Sequence, residues 1–202
     1  MYELEATADM FLVSGQAKPS IDQQTIAVAP ETGEAPEALL VQSVLAGDRE
    51  LYGDLYQLYA PLVHGILLAR MPRSEVDDMV QEIFLHGLRK LHTLRDAGAF
   101  GPWIAMIARN RAMDFHRRSR ETVEMTEDLG SGNSSGPKAA EILEIIRSLP
   151  DAYRETLVLR LVEGMTGPEI ATRTGLTSAS VRVNLHRGMK LLRAKLGFKE
   201  GV

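Results

Sequence analysis

Apolar side chains recur at spacings of three and four residues along most of the chain, which is the periodicity of amphipathic α-helices. The pattern predicts helices over Pro36 to Ala46, about Asp48 to Met71, Ser74 to about Leu91 and Pro102 to about Ser119, and again from residue 142 to Leu196. The predicted fold class is therefore all-α, with two small helical domains joined by a flexible linker.

Two segments lack this periodicity. Residues 1–36 carry scattered Pro, Gly and acidic residues and are predicted to be a flexible acidic tail, although Tyr2 to Val13 also suits a short amphipathic helix on a partner. Residues 121–138 contain SGNSSGPK and are predicted to be a flexible linker. These assignments place an N-terminal domain at 37–120 and a C-terminal domain at 139–202.

The stretch from Met165 to Leu196 predicts a helix-turn-helix. Thr166 and Glu169 have the spacing of a capping box, in which each side chain binds the other residue's backbone N–H. Gly175 suits the end of the first helix because glycine tolerates a positive φ there. Leu176 is predicted to fill the space between the two helices.

Thr177 or Ser178 is predicted to cap the second of these helices. Away from its apolar stripe, this helix carries hydrogen-bonding side chains of the kind that contact base edges and phosphates in a major groove: Ser180, Arg182, Asn184, His186 and Arg187. The same pattern also suits the solvated face of an ordinary helical hairpin. The local charge favours a nucleic-acid-binding face over a merely solvated one, because residues 165–199 contain seven Lys and Arg against one acid.

The helix predicted from Ser74 to Leu91 begins with a second capping box, formed by Ser74 and Asp77. One of its faces contains Asp78, Gln81, Glu82 and Leu85, at spacings of three and four residues. Two interpretations are open for this face. It is either a binding surface or a solvated acidic turn that stabilises the helix dipole.

The helix predicted from Pro102 to Ser119 has a strongly basic side. Residues 109–120 contain five Arg against the single acid Asp114, which suits contact with a phosphate backbone. Trp103, the only Trp in the chain, is predicted to anchor the core.

Composition narrows the possible functions further. The net charge of −4 divides into −7 for residues 1–48, +3 for 49–120, −3 for 121–138 and +3 for 139–202, a pattern of two basic domains separated by an acidic linker. There is no Cys, no long apolar run, no secretory signal and no catalytic motif. The five His are scattered, so we expect no metal site and no cofactor.

Four segments, in this order, resemble the extracytoplasmic-function (ECF) group of bacterial sigma factors. They are LYQLYAPLVHGIL, DDMVQEIFLHGLRKL, FGPWIAMIARNRAMDFHRR and SLPDAYRETLVLRLVEGMTGPEIATRTGLTSASVRVNLHRGMKLL, and they span about residues 40–198. The resemblance implies that the face formed by Asp78, Gln81 and Glu82 docks on the clamp helices of the largest RNA polymerase subunit.

The resemblance also implies two DNA-binding sites. The loop from Leu94 to Gly98, which includes Arg95 and Asp96, matches the segment that captures an unstacked base of the minus-ten element together with Asn110. Arg117 and Arg118 are expected to contact the phosphates nearby. Four residues of the second helix of the helix-turn-helix are expected to contact the minus-35 element: Ser180, Arg182, His186 and Arg187.

The function expected from this resemblance is that of an alternative sigma factor. Its partners would be core RNA polymerase and promoter DNA, and an anti-sigma factor is a further partner that the sequence leaves open. Such a protein would be cytoplasmic and would catalyse no reaction itself. Two alternatives remain at this point: a stand-alone helix-turn-helix regulator, and a polymerase-binding decoy that no longer reads DNA.

Overall fold

The computed structural model describes residues 36–122 and 139–197, with the side chains of the first range placed up to residue 118. The predicted tail before Pro36 and the predicted linker from residue 123 onwards lie outside the described residues. Within the two ranges the regular elements are helices, as the fold class predicted. None of these helices has both the length and the apolar character that crossing a bilayer requires.

Between residues 36 and 122 the structure has four α-helices and three short 3-10 turns. The α-helices are α1 (Pro36–Leu45), α2 (Tyr52–Leu68), α3 (Val76–Lys90) and α4 (Phe100–Thr122). The 3-10 turns are Arg73–Glu75, Leu91–Thr93 and Ala97–Ala99. Helices α2, α3 and α4 pack against one another, and α1 packs on α2 and on the turn before α4.

Several predicted boundaries differ from the structure. Helix α2 begins at Tyr52 rather than near Asp48, because the chain first makes a turn after Gly47, which has a φ of 118°. The capping box predicted for Ser74 and Asp77 is wrong. A 3-10 turn precedes α3 there, and the Ser74 hydroxyl donates to Glu75 Oε1 at 3.3 Å instead of capping the helix.

Aromatic residues connect the three large helices of the N-terminal half. The rings of Tyr59 on α2 and Phe100 on α4 meet edge to face with centroids 5.0 Å apart. The buried Tyr52 hydroxyl donates to the carbonyl of Phe84 on α3 at 2.7 Å. Trp103 is only half-buried and packs on Phe100 at 5.7 Å between ring centroids, so it borders the core rather than filling it.

The C-terminal half contains four more helices: α5 (Ala139–Arg147), α6 (Asp151–Leu161), α7 (Gly167–Thr174) and α8 (Ser178–Lys195). Pro150 occupies the N-cap position of α6, where its missing N–H costs no hydrogen bond. Gly164 follows α6 with a φ of 70° and lets the chain turn into α7.

The two halves pack directly against each other, and their buried apolar residues form one continuous core. Helix α6 lies on α2, and α7 lies against the beginning of α4. The helices approach closely at Gly65, where an added Cβ would lie 2.6 Å from Cδ2 of Leu159. At Gly101 an added Cβ would lie 3.0 Å from the carbonyl oxygen of Arg173. The hydrophobic pattern predicts two helical domains but gives no sign of this packing between them.

Candidate nucleic-acid interface

The turn between α7 and α8 has the predicted helix-turn-helix geometry. Thr166 and Glu169 form the capping box: Thr166 Oγ1 accepts from the Glu169 N–H, and Glu169 Oε2 accepts from the Thr166 N–H at 2.7 Å. Gly175 ends α7 with a φ of 75°. Thr177 caps α8 by accepting from the Ser180 N–H at 3.1 Å. Leu176, however, is exposed, so the prediction that it fills the space between the helices is wrong.

Helix α8 buries one side against α6 and exposes the other. Val181 and Leu192 are buried, and at Gly188 an added Cβ would come within 3.0 Å of the Leu157 side chain. The predicted minus-35 residues Ser180, Arg182, His186 and Arg187 are all exposed. The hydroxyl of Ser180 also lies 2.8 Å from Thr177 Oγ1, so this side chain takes part in the helix cap.

The basic side of α4 is divided between two environments. Asn110, Arg117 and Arg118 are exposed, and Arg117 makes a 3.0 Å surface ion pair with Asp114 on the same helix. Arg109, by contrast, points into the contact between the two halves of the protein. The arginines whose side chains are described on this helix therefore do not form one continuous solvent-facing row.

The loop before α4 borders a surface cavity of about 610 Å³. Its shape is held by Asp96, whose Oδ1 accepts from the Gly98 N–H at 3.0 Å. The cavity is lined from α1 and from the loop: Ala38, Gln42, Leu45, Leu94, Arg95, Asp96, Ala97 and Gly98. The structure thus brings the predicted Leu94, Arg95 and Asp96 together, but the wall opposite them comes from α1 and not from Asn110.

The acidic face of α3 points to solvent. Asp78, Gln81 and Glu82 are exposed, and Leu85 beside them is 55% exposed although it is apolar. The opposite side of the helix packs into the core. Among the described residues no cluster of His, Asp and Glu is arranged to hold a metal ion.

Comparison with known proteins identifies the family. The Sigma-70 region 2 family matches residues 55–122, and the Sigma-70 region 4 family matches residues 139–192. The chain is 32% identical over 161 residues to the RNA polymerase sigma factor CarQ of Myxococcus xanthus, covering 75% of this chain and 92% of that protein. It is 30% identical over 194 residues to the ECF RNA polymerase sigma factor SigD of Mycobacterium tuberculosis, covering 85% and 90%. The chain is an ECF sigma factor.

This sigma factor directs promoter-specific initiation of transcription. A stand-alone helix-turn-helix regulator would account for the match to region 4 alone, so the match to both regions favours the sigma factor. Two solved structures share the fold. CnrH in complex with the cytosolic domain of CnrY has a TM-score of 0.58 at 23% identity, covering 81% of this chain and 99% of that one. The sigma factor RpoE of Bartonella quintana, in complex with the anti-sigma factor NepR, has a TM-score of 0.53 at 15% identity, covering 74% and 98%.

The sigma factor also contains a buried charge that the sequence analysis did not single out. Glu155 on α6 is buried and lies between two arginines of the N-terminal half. Its Oε2 accepts from Arg70 Nη2 at 2.6 Å and from Arg109 Nε at 3.1 Å, and its Oε1 accepts from Arg109 Nη2 at 2.7 Å. A sequence signal existed, because Glu155 precedes the apolar Val158 and Leu159 by three and four residues and therefore lies on the buried side of α6.

The arginines keep this carboxylate ionised. Burial by itself would raise the pKa of Glu155, but the hydrogen bond from Arg109 and the positive charges of Arg70 and Arg109 outweigh it and lower the pKa below the ordinary value. Removing one partner from such a buried pair leaves an uncompensated charge, which is strongly destabilising. The contact between the halves thus depends on a charged triad as well as on apolar packing.

Within the described ranges, hydrogen bonds of Arg147, Arg173 and His64 also join the halves. Arg147 donates from Nε to the Leu68 carbonyl at 2.9 Å and from Nη2 to the Met71 carbonyl. Arg173 on α7 donates to the Leu58 carbonyl at 3.0 Å. Between α2 and the end of α6, His64 Nδ1 lies 2.7 Å from Glu163 Oε1, and this hydrogen bond raises the pKa of His64.

Proposed function

We propose that this sigma factor uses three separate surfaces to initiate transcription. The acidic face of α3, formed by Asp78, Gln81 and Glu82, binds core RNA polymerase. The loop from Leu94 to Gly98 and the exposed side of α4 bind the minus-ten element. The exposed side of α8 reads the minus-35 element. The protein itself catalyses no reaction, and the proposed domains are residues 37–120 and 139–202.

The observation that carries this proposal is the exposure of Asp78, Gln81 and Glu82 on α3, of Asn110, Arg117 and Arg118 on α4, and of the predicted minus-35 residues on α8, each on a helix whose other side is buried. The face of α3 combines acids with the exposed Leu85, a chemistry suited to a protein surface. The face of α8 combines Arg182 and Arg187 with His186, which suits base edges and phosphates. Sets of different chemistry on different helices support different partners.

The cavity beside the loop supports a site for one extruded base. Leu45 and Leu94 offer apolar surface for a base face, and Gln42 and Arg95 offer hydrogen-bonding groups for a base edge. Extrusion costs a few kcal/mol, so contacts of this kind have to compensate for it. In this proposal Asn110 contacts the strand beside the cavity, and Arg117 and Arg118 contact phosphates, which position the DNA without specifying its sequence.

The same assignment leads to a proposed regulator and a proposed location. Both structural neighbours hold a bound protein: the cytosolic domain of CnrY on CnrH, and the anti-sigma factor NepR on RpoE. An anti-sigma factor is accordingly proposed as a regulator of this chain. The proposed location is the cytoplasm, where core polymerase and promoter DNA are found.

The polymerase surface can be tested by charge reversal. Replacing Asp78 and Glu82 by Lys should abolish co-elution with core RNA polymerase, because two attractive contacts become repulsive. The matched control replaces Asp48 and Glu50 by Lys, which changes the net charge equally at exposed positions of the turn before α2. Circular dichroism should show native helix content in both variants. Co-elution of the Asp78/Glu82 variant at the wild-type level would refute the proposed docking surface.

A further inference from the structure

Arg70 and Arg109 form an anion-binding site that belongs to the N-terminal half of the protein. Arg70 follows the end of α2, and its Nη1 donates to the Ile66 carbonyl at 3.1 Å, which orients the guanidinium. Arg109 lies on α4, and both side chains point at the same place. The N-terminal half thus supplies two oriented cations, while the anion between them comes from the C-terminal half.

No acid in the described part of the N-terminal half neutralises this pair. In the described ranges the carboxylate of Glu155 is the one acidic group within ion-pair distance of either arginine. The side chains are 14% exposed for Arg70, 29% for Arg109 and 7% for Glu155, so most of the site is closed to a second anion while the halves are packed. If the halves separate, two arginines that were paired become available together.

We propose that Arg70 and Arg109 each contact a phosphate of promoter DNA, and that Glu155 occupies both arginines when the two halves are packed together. The proposal rests on the proposed function, because Arg109 adjoins Asn110 on the helix assigned to the minus-ten element. A carboxylate and a phosphodiester both present a pair of oxygens that share one negative charge. The planar guanidinium fork of arginine binds either group in a bidentate manner.

Glu155 then acts as an intramolecular competitor of DNA. Because it is part of the same chain, its effective concentration at the site is high and weak external anions are excluded. The packed protein is expected to bind DNA of arbitrary sequence poorly. Once the halves separate, the arginines add two phosphate contacts beside the minus-ten surface.

The first experiment measures how salt affects DNA binding by the full chain. Fluorescence anisotropy follows a labelled duplex of mixed sequence without promoter elements at a series of salt concentrations. Glu155→Gln should bind several-fold more tightly than wild type. The slope of log affinity against log salt should steepen by about 0.9 for each added phosphate contact, hence by about two in total.

The matched control is Asp151→Asn. It lies on the same helix one turn earlier, changes the net charge by the same amount, and pairs with Arg154 of its own helix rather than with the N-terminal half. Its affinity and slope should remain close to wild type. Equal increases in the two variants would show a general charge effect and would overturn the proposal.

The second experiment identifies the groups that contact DNA. Adding Arg109→Ala to Glu155→Gln should reduce the slope again by about one contact, whereas Arg109→Lys should keep the slope and lose part of the affinity. In the Glu155→Gln background Arg109 has already lost its charged partner, so its loss is not expected to unfold the protein. An unchanged slope after Arg109→Ala in a protein whose halves have separated overturns the proposal.

Small-angle X-ray scattering establishes whether the halves have separated. If Glu155→Gln leaves the protein packed, Gly65→Leu is added, because the larger side chain cannot fit against Leu159. Equal slopes with and without Arg109 in that open protein overturn the proposal. Transcription by core polymerase with the wild-type chain is measured in parallel. Absence of transcription would refute the proposed function, whereas equal slopes refute the phosphate site alone.

Discussion

Gly65→Ala should reveal whether the two halves pack in solution as they do in the structure. Gly65 lies in the interior of α2, at the point where α6 comes nearest. The three nearest atoms that an added Cβ would meet from outside its own stretch of helix belong to the C-terminal half: Cδ2 and Cγ of Leu159 at 2.6 and 3.5 Å, and Cγ of Glu163 at 2.9 Å. The effect of this one methyl group therefore depends on the packing between the halves.

Two opposing contributions set the magnitude. Alanine is better than glycine in a helix interior by about 1 kcal/mol, which stabilises the variant. Carbon atoms make their best contacts at about 3.5–4.0 Å, so the methyl group requires a shift of about 1 Å at Leu159. Leu159 is fully buried and has little room to move, and overpacking of this kind costs about 1–3 kcal/mol. The net effect is a destabilisation of about 0–2 kcal/mol.

The measurement is urea unfolding followed by circular dichroism. Gly53→Ala serves as the matched control, because Gly53 lies near the start of the same helix, is exposed, and has nothing within 4 Å of an added Cβ. This control should be stabilised by up to about 1 kcal/mol. The two variants should therefore differ by about 1–3 kcal/mol, with Gly65→Ala the less stable.

A stabilisation of Gly65→Ala equal to that of Gly53→Ala would refute this reasoning. Without α6 against α2, only the gain in helix propensity remains, and both substitutions then stabilise the protein. Such a result would mean that the halves do not pack in the free protein. It would also remove the basis for masking of the arginine pair by Glu155.

Two further predictions concern pH and the division of labour between the DNA surfaces. The pKa of His64 is raised above 6.5 by its hydrogen bond to Glu163, so its contribution to stability should be fully present below pH 6.5 and lost as the pH rises through the raised pKa. Urea unfolding across this range should show this loss of stability in the wild type. A His64→Gln variant whose stability falls by the same amount over the same range would contradict the assignment of the loss to His64. Arg182→Ala should impair transcription from duplex promoters by weakening minus-35 preference, and Asn110→Ala should impair opening. A pre-melted template should rescue Asn110→Ala only, and rescue of both or neither would contradict the two-site proposal.

The local elements of this protein could be predicted from the sequence because short-range physics determines them. The capping box joins Thr166 and Glu169, which lie within one helical turn, so their spacing was enough to predict it. The positive φ of Gly175 depends only on the local backbone at the end of α7, so it too could be predicted. Helical periodicity likewise placed the predicted site residues of α3 and α8 on exposed faces, since it separates apolar from polar positions. The capping box at Ser74 failed because a 3-10 turn is equally local and competes for the same residues.

Only the tertiary structure determined which distant residues meet. Arg109 and Glu155 are 46 positions apart, and Arg70 and Glu155 are 85 apart, so no helical spacing connects them. Helical periodicity assigned Arg109 to a basic face of α4. In the structure, α6 packs on α2 and places the buried carboxylate of Glu155 beside Arg109. The same holds for Gln42, which reaches the cavity because α1 folds back on the loop before α4. Sequence patterns show what each helix exposes, whereas the buried partner of a charge depends on how the helices are arranged in space.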